Sequence, residues 1–168
     1  MKIRIAGTVN DSIVDGPGLR YVVFVQGCSH HCPGCHNPET WDPNGGKEID
    51  TYDLGSEMAK NPLLSGLTLS GGEPFDQPVA SKSLATHARM HGKNVWCYTG
   101  YTWDEILEKN SQKWNALLYF VDVLVDGPFV QEQKSLDLDY RGSRNQRLID
   151  VKKSREKGEV VLWTPEKW

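Results

Sequence analysis

Tyr21-Val22-Val23-Phe24-Val25-Gln26-Gly27-Cys28-Ser29-His30-His31-Cys32-Pro33-Gly34-Cys35-His36-Asn37 joins an apolar, β-branched run to three cysteines crowded into eight residues. The run is short, apolar from Tyr21 to Val25 and ended by Gly27, which is how a strand buried on both faces of a parallel sheet reads. The cysteine loop follows where that strand stops.

The same arrangement recurs along the chain. Leu67-Thr68-Leu69-Ser70 is halted by Gly71-Gly72, Asn94-Val95-Trp96-Cys97-Tyr98 by Gly100, and Asp122-Val123-Leu124-Val125-Asp126 by Gly127-Pro128. Between these strands, helices are predicted over 51–60, over 78–91 with Pro78 in the first turn, and over 102–110 with Thr102 as N-cap. The order βαβαβαβ implies a parallel sheet with right-handed crossovers, and it places all four glycine-ended loops on the edge where the strands finish. An eight-unit α/β barrel needs about 250 residues, and its chemistry sits on that edge. With 168 residues, the expected fold class is α/β: an incomplete, laterally open (β/α) barrel of parallel strands. A doubly wound sheet is the alternative.

Length and a 38% hydrophobic content predict one domain over 1–168. Residues 42–46 read as a turn, and residues 164–168 are expected to fray. No run approaches the roughly 18 apolar residues of a membrane span, and the N-terminus lacks an apolar signal core, so a cytoplasmic protein without membrane contact is expected. A net charge of -3 and a pI near 5.9 argue against broad nucleic-acid binding. Three of the four cysteines share one loop, a poor design for stapling distant segments, so reduced thiols are expected.

The spacing C-x3-C-x2-C of Cys28, Cys32 and Cys35 leaves one ligand short of the four thiolates that a cubane iron-sulfur cluster normally takes, which leaves an iron open to another molecule. Zinc completed by His30, His31 or His36 is the competing reading, but no second ligand pair follows downstream. Cys97 alternates with Val95 and Thr99 along its strand and is expected in the core. His30 and His31 are expected to face solvent, and Asn37 to brace the loop through its side chain.

Gly16-Pro17-Gly18-Leu19-Arg20, Phe24, Gly27 and the cysteines up to Asn37 resemble the signature of the radical S-adenosylmethionine family, and within it of the enzymes that install glycyl radicals on other proteins. Ser70-Gly-Gly-Glu-Pro74, Trp96-Cys-Tyr-Thr-Gly-Tyr101, Asp122 to Pro128 and Arg141 to Arg147 extend the resemblance, which is nearest to activating proteins of anaerobic ribonucleoside-triphosphate reductases. The resemblance implies a [4Fe-4S] cluster on Cys28, Cys32 and Cys35 and S-adenosyl-L-methionine as cofactor. It further implies the large anaerobic ribonucleotide reductase subunit as partner and a reduced flavodoxin- or ferredoxin-type electron donor. Activases of pyruvate formate-lyase or related enzymes, and a deazaguanine synthase, are the runners-up; a non-catalytic iron-sulfur electron carrier is the rival from another class.

By the same resemblance, Gly34, Cys35 and His36 flank the adenine of the cofactor. Many members carry an aromatic residue just before the third cysteine, where this chain has Gly34. Gly71, Gly72 and Glu73 would offer carbonyls and a carboxylate to the cofactor's ammonium group. Thr99 and Asp126 either hold ribose hydroxyls and the methionine carboxylate or cap local turns. No acid-base pair beyond the cluster is assigned. Seven cations between Arg141 and Lys157 form either a solvated face or a docking surface for an acidic partner.

Overall fold

A computed structural model describes residues 1–165; of the segment expected to fray, 166–168 lie outside the described residues. Among the described residues, seven strands form one sheet in the order β3 (Lys47–Asp50), β1 (Lys2–Ser12), β2 (Arg20–Val25), β4 (Gly66–Gly71), β5 (Asn94–Tyr98), β6 (Val123–Asp126), β7 (Arg147–Asp150). The four glycine-ended runs are β2 (Arg20–Val25), β4 (Gly66–Gly71), β5 (Asn94–Tyr98) and β6 (Val123–Asp126). They lie side by side and parallel, with Val22 opposite Thr68, Thr68 opposite Trp96 and Trp96 opposite Val123.

The expectation of an all-parallel sheet is corrected at both margins. β1 (Lys2–Ser12) runs antiparallel to β2 and to β3 (Lys47–Asp50), while β7 (Arg147–Asp150) runs antiparallel to β6. Half of the six pairings are therefore parallel, and the strand order does not close into a ring. Alternation put the parallel centre on view, but it carried no signal for the antiparallel strands added on either side of it.

The helices follow from their caps. α1 (Thr51–Ala59) starts on the Asp50 side chain, which accepts from the Tyr52 amide. α2 (Pro78–Met90) opens with proline, whose missing N–H costs nothing in the first turn. α3 (Trp103–Lys109) begins with a full capping box between Thr102 and Glu105. α4 (Gln112–Tyr119) and α5 (Val151–Lys157) were not foreseen.

Side chains alternate between two cores, as the pleat of a strand requires. Tyr21, Val23, Val25, Leu67, Leu69, Val95, Cys97 and Leu124 pack into the main core with residues of α1, α2, α3 and α4. Trp96, Val123 and Val125 point the other way and meet Trp163, Tyr98, Tyr140 and Leu148, so loops and the C-terminal segment cover that face. Helices thus lie on one side and loops on the other.

Arg20 secures one of those loops. Its guanidinium is fully buried and donates to the Thr68 hydroxyl at 2.7 Å, the Leu67 carbonyl at 2.9 Å and the Pro17 carbonyl at 3.0 Å, while Thr68 Oγ1 donates to the Asp15 carbonyl at 2.8 Å. The 13–19 segment is thereby tied to β2 and β4. Burial pulls the guanidinium down to about 10, and hydrogen bonding is what makes a cation tolerable there.

Candidate metal centre

The cysteine loop leaves the end of β2 and closes on itself. Gly27 N–H donates to the Thr40 carbonyl and Cys28 N–H to the Trp41 carbonyl at 3.1 Å, while the buried Gln26 amide holds the Glu39 and Asp42 carbonyls at 2.9 and 2.8 Å. Chain entry and exit are thus tied at one neck, as in an Ω-loop. His31, with a φ of 49°, stacks on Trp41 at 4.6 Å and 17° between planes.

The loop carries Cys28, Cys32 and Cys35, all unpaired and partly exposed. Burial pushes the Cys28 thiol up to about 11, and a metal bound by its thiolate would displace that proton. Cys35 N–H donates to the Cys32 carbonyl at 3.1 Å and Asn37 N–H to Cys35 Sγ at 3.4 Å. Asn37 therefore acts on the loop through its backbone, not through the side chain that was expected to brace it. Gly34 has a φ of +77° and lies against Gln131, where a Cβ would come within 2.9 Å of the amide carbon. His36 is exposed and tilted against Phe129 at 5.3 Å.

The donor set fits an iron-sulfur group: three soft thiols on one loop, with Cys97 fully buried among the core residues and burial holding its thiol well above the ordinary range. Among the described residues no three His, Cys, Asp or Glu side chains gather around a single ion. A cubane does not require that, because its irons occupy separate corners and each takes its own thiolate.

The glycine pair brings β4 against this loop. Gly72 N–H donates to the Val25 carbonyl and Glu73 N–H to the Gly27 carbonyl, both at 2.8 Å, extending the parallel ladder past the end of β2. A Cβ on Gly72 would strike the Gly27 carbonyl oxygen, and one on Gly71, at a φ of +89°, would stand 2.7 Å from the backbone of Phe24 and Val25. Only glycine allows that approach.

Glu73 is fully buried and faces inward. It accepts from His30 Nε2 at 2.7 Å, Gly100 N–H at 2.7 Å, Phe75 N–H at 3.0 Å and the Thr99 hydroxyl at 2.9 Å. Four donors fill about the four lone-pair sites that a carboxylate offers. The expectation that His30 faces solvent is corrected: its side chain is 17% exposed, and the hydrogen bond to Glu73 raises its pKa. Two adjacent histidines between Cys28 and Cys32 gave no sequence signal for which of them turns inward.

Thr99 and Asp126 come to the same edge but are also engaged locally. Thr99 Oγ1 accepts from Tyr101 N–H at 3.1 Å. Asp126 accepts from Trp103 N–H at 2.9 Å, at the start of α3, and from both arms of Arg147 at 3.1 and 2.6 Å. The Arg141 to Arg147 stretch is wired inward as well: Gln146 accepts from the Gly142 and Ser143 amides and donates to the Gly127 carbonyl.

The basic run does not form one face. Asp126 pairs with Arg147 where the parallel strands end, whereas Asp150 pairs with Val123 where they begin. α5, with exposed Lys152, Lys153, Arg155 and Lys157, therefore starts at the edge opposite the cysteine loop.

Residues 14–149 match the family described as "4Fe-4S single cluster domain". The anaerobic ribonucleoside-triphosphate reductase-activating protein of Salmonella typhi is 40% identical over 80% of this chain and 90% of its own length. The protein of that name from Escherichia coli (strain K12) is 38% identical over the same shares, and that of Enterobacteria phage T4 is 37% identical over 80% of this chain and 86% of its own. Cluster-loop thiols, glycine-ended strands and these likenesses agree: the chain belongs to the 4Fe-4S single cluster domain family, alongside the anaerobic ribonucleoside-triphosphate reductase-activating proteins.

Proposed function

We propose that this chain activates an anaerobic ribonucleoside-triphosphate reductase by generating a glycyl radical on its large subunit. The observation that carries the reading is the donor count: three free thiols on one loop at the edge where four parallel strands end, with the fourth cysteine enclosed in the core. When bound, a [4Fe-4S] cluster and S-adenosyl-L-methionine supply reductive cleavage of a carbon-sulfur bond and an organic radical able to take hydrogen from a glycine.

Cys28, Cys32 and Cys35 hold the cluster in this reading. The Asn37 amide donates to the Cys35 sulfur, the kind of contact that tunes a cluster's potential. Gly34 and His36 flank the cofactor on the cysteine-loop side. Gly71 and Gly72 offer backbone carbonyls, and Thr99 and Asp126 fix the adjoining strand ends. Glu73 gives its lone pairs to protein donors, so its contribution passes through the backbone it fixes.

The cleft of about 310 Å³ lined by His36 and Tyr98 suits the reductase's glycine-bearing segment, since Val14 and Leu136, 70% and 92% exposed, stand on its lining as apolar grips. A reduced flavodoxin- or ferredoxin-type donor has to reach the cysteine-loop edge, and α5 starts at the edge opposite it. The sheet reads as an incomplete barrel open at the side, with helices outside and loops within, and 1–168 as one domain built on it. Four unpaired thiols suit a reducing, cytoplasmic compartment, and among the described residues no helix is long and apolar enough to cross a membrane.

The test is anaerobic mixing of the reduced, iron-loaded chain with S-adenosylmethionine and the large reductase subunit. A glycyl radical signal in the electron paramagnetic resonance spectrum of the subunit is expected. Cofactor cleavage without a radical on the subunit would assign another partner, and no cleavage would leave an electron carrier.

A further inference from the structure

Between Cys28 and Cys32 the loop makes a contact that neither the cluster nor the cofactor accounts for. His30 turns its imidazole inward while its neighbours Ser29 and His31 are exposed. A carboxylate only accepts, so the 2.7 Å contact to Glu73 places the proton on His30 Nε2. The acceptor is fully buried and is held by the Phe75 amide just beyond β4 and by Thr99 and Gly100 just beyond β5.

Two further observations show that the fold makes room for the ring. A Cβ at Gly100 would stand 2.5 Å from His30 Cδ2 and 2.7 Å from Nε2, so the glycine admits the imidazole. Tyr101 then meets the ring edge-on at 4.4 Å and 68°. Beside this contact, Ser29 Oγ reaches Asp76 at 3.4 Å, and Tyr101 donates to the same carboxylate at 3.2 Å.

We propose that His30 is a positioning residue: its Nε2–H, latched on buried Glu73, sets the path of the cysteine loop between Cys28 and Cys32 and so pre-arranges the first two sulfurs before metal arrives. The neck at Gly27–Thr40 and Cys28–Trp41 fixes only where the loop begins and ends. Without the latch, the stretch from Ser29 to His31 keeps the amide contacts of His30 and His31 to Cys28, the contacts of Ser29 to Asp76 and Tyr101, and the His31–Trp41 stack, but no tie to the ends of β4 and β5 through a buried carboxylate. Groups that orient metal ligands without touching metal typically change affinity or activity by about 10–100-fold when removed. This inference rests on reading Cys28, Cys32 and Cys35 as cluster ligands.

The experiment compares His30→Phe, which keeps a ring against Gly100 and Tyr101 but removes the donor, with His30→Gln, which restores a donor. In metal-free protein, amide exchange across residues 28–37 should be about 10-fold faster in His30→Phe and near the parent rate in His30→Gln. After loading with iron and sulfide, iron release to a chelator should also be about 10-fold faster in His30→Phe, with rescue in His30→Gln. Should His30→Phe fail to fold, Gly100→Ala displaces the same ring from the opposite side and should give the same two changes. Parent-like exchange and parent-like iron release in the folded variant would overturn the latch. A parent chain that takes up no iron would instead overturn the ligand assignment, and the exchange on metal-free protein would still decide the latch.

Discussion

Gly72 is the residue on which the site's geometry turns most sharply. Its amide and that of Glu73 lie on the carbonyls of Val25 and Gly27, so any side chain there forces the β4 end away from the cysteine loop. Gly72→Ala is expected to cost about 1–3 kcal/mol by overpacking, measured by denaturant unfolding, and to loosen the loop. An unchanged midpoint with intact iron loading would contradict that account. The cysteines separate in the same way. Cys28→Ala, Cys32→Ala and Cys35→Ala should each abolish stable cluster binding, whereas Cys97→Ala should keep the cluster and lose about 1 kcal/mol for a small core void. Iron and sulfide analysis of the four purified variants decides this, and loss of iron from Cys97→Ala would place that thiol in the site.

The elements differ in how openly the sequence announces them. β2, β4, β5 and β6 are continuous apolar runs with glycine at the end, and Pro78 and the Thr102–Glu105 pair mark their helices within a residue or so. These were legible because burial on both faces and helix capping each demand particular residue types. β1 was not, although Ile3 and Ile5 alternate with charged Lys2 and Arg4, because its burial pattern breaks down after Ile5. β7 is four residues long and exists through its pairing with β6, information that lies far away in the chain. In the site, cysteine spacing was readable, while the inward turns of His30 and Glu73 depend on where Thr99 and Gly100 arrive in space. At this scale Asp126, buried at the end of β6, joins α3 and β7. Arg147→Ala removes both of its guanidinium bonds and should destabilise by about 1–3 kcal/mol, with Arg147→Lys recovering part of it. Equal stability of all three proteins in thermal melts would show the pair to be idle.

For the whole molecule, the main core and the cysteine loop are spatially separate. The core lies between one face of the sheet and α1 to α4, whereas the thiols sit past the strand ends. Stripping iron should therefore leave cooperative unfolding intact by circular dichroism, unlike small zinc domains that unfold without their metal. Loss of the transition on chelation would mean that the metal holds the fold. The central claim remains that three sulfurs of this chain hold a cubane whose last iron is left for the cofactor. Mössbauer spectroscopy of protein loaded with isotopically enriched iron, recorded with and without S-adenosylmethionine, tests it most directly. One iron of the cluster should be distinguishable and should shift when the cofactor is added; irons that are all alike and unmoved by the cofactor would mean a fourth protein ligand and contradict the account.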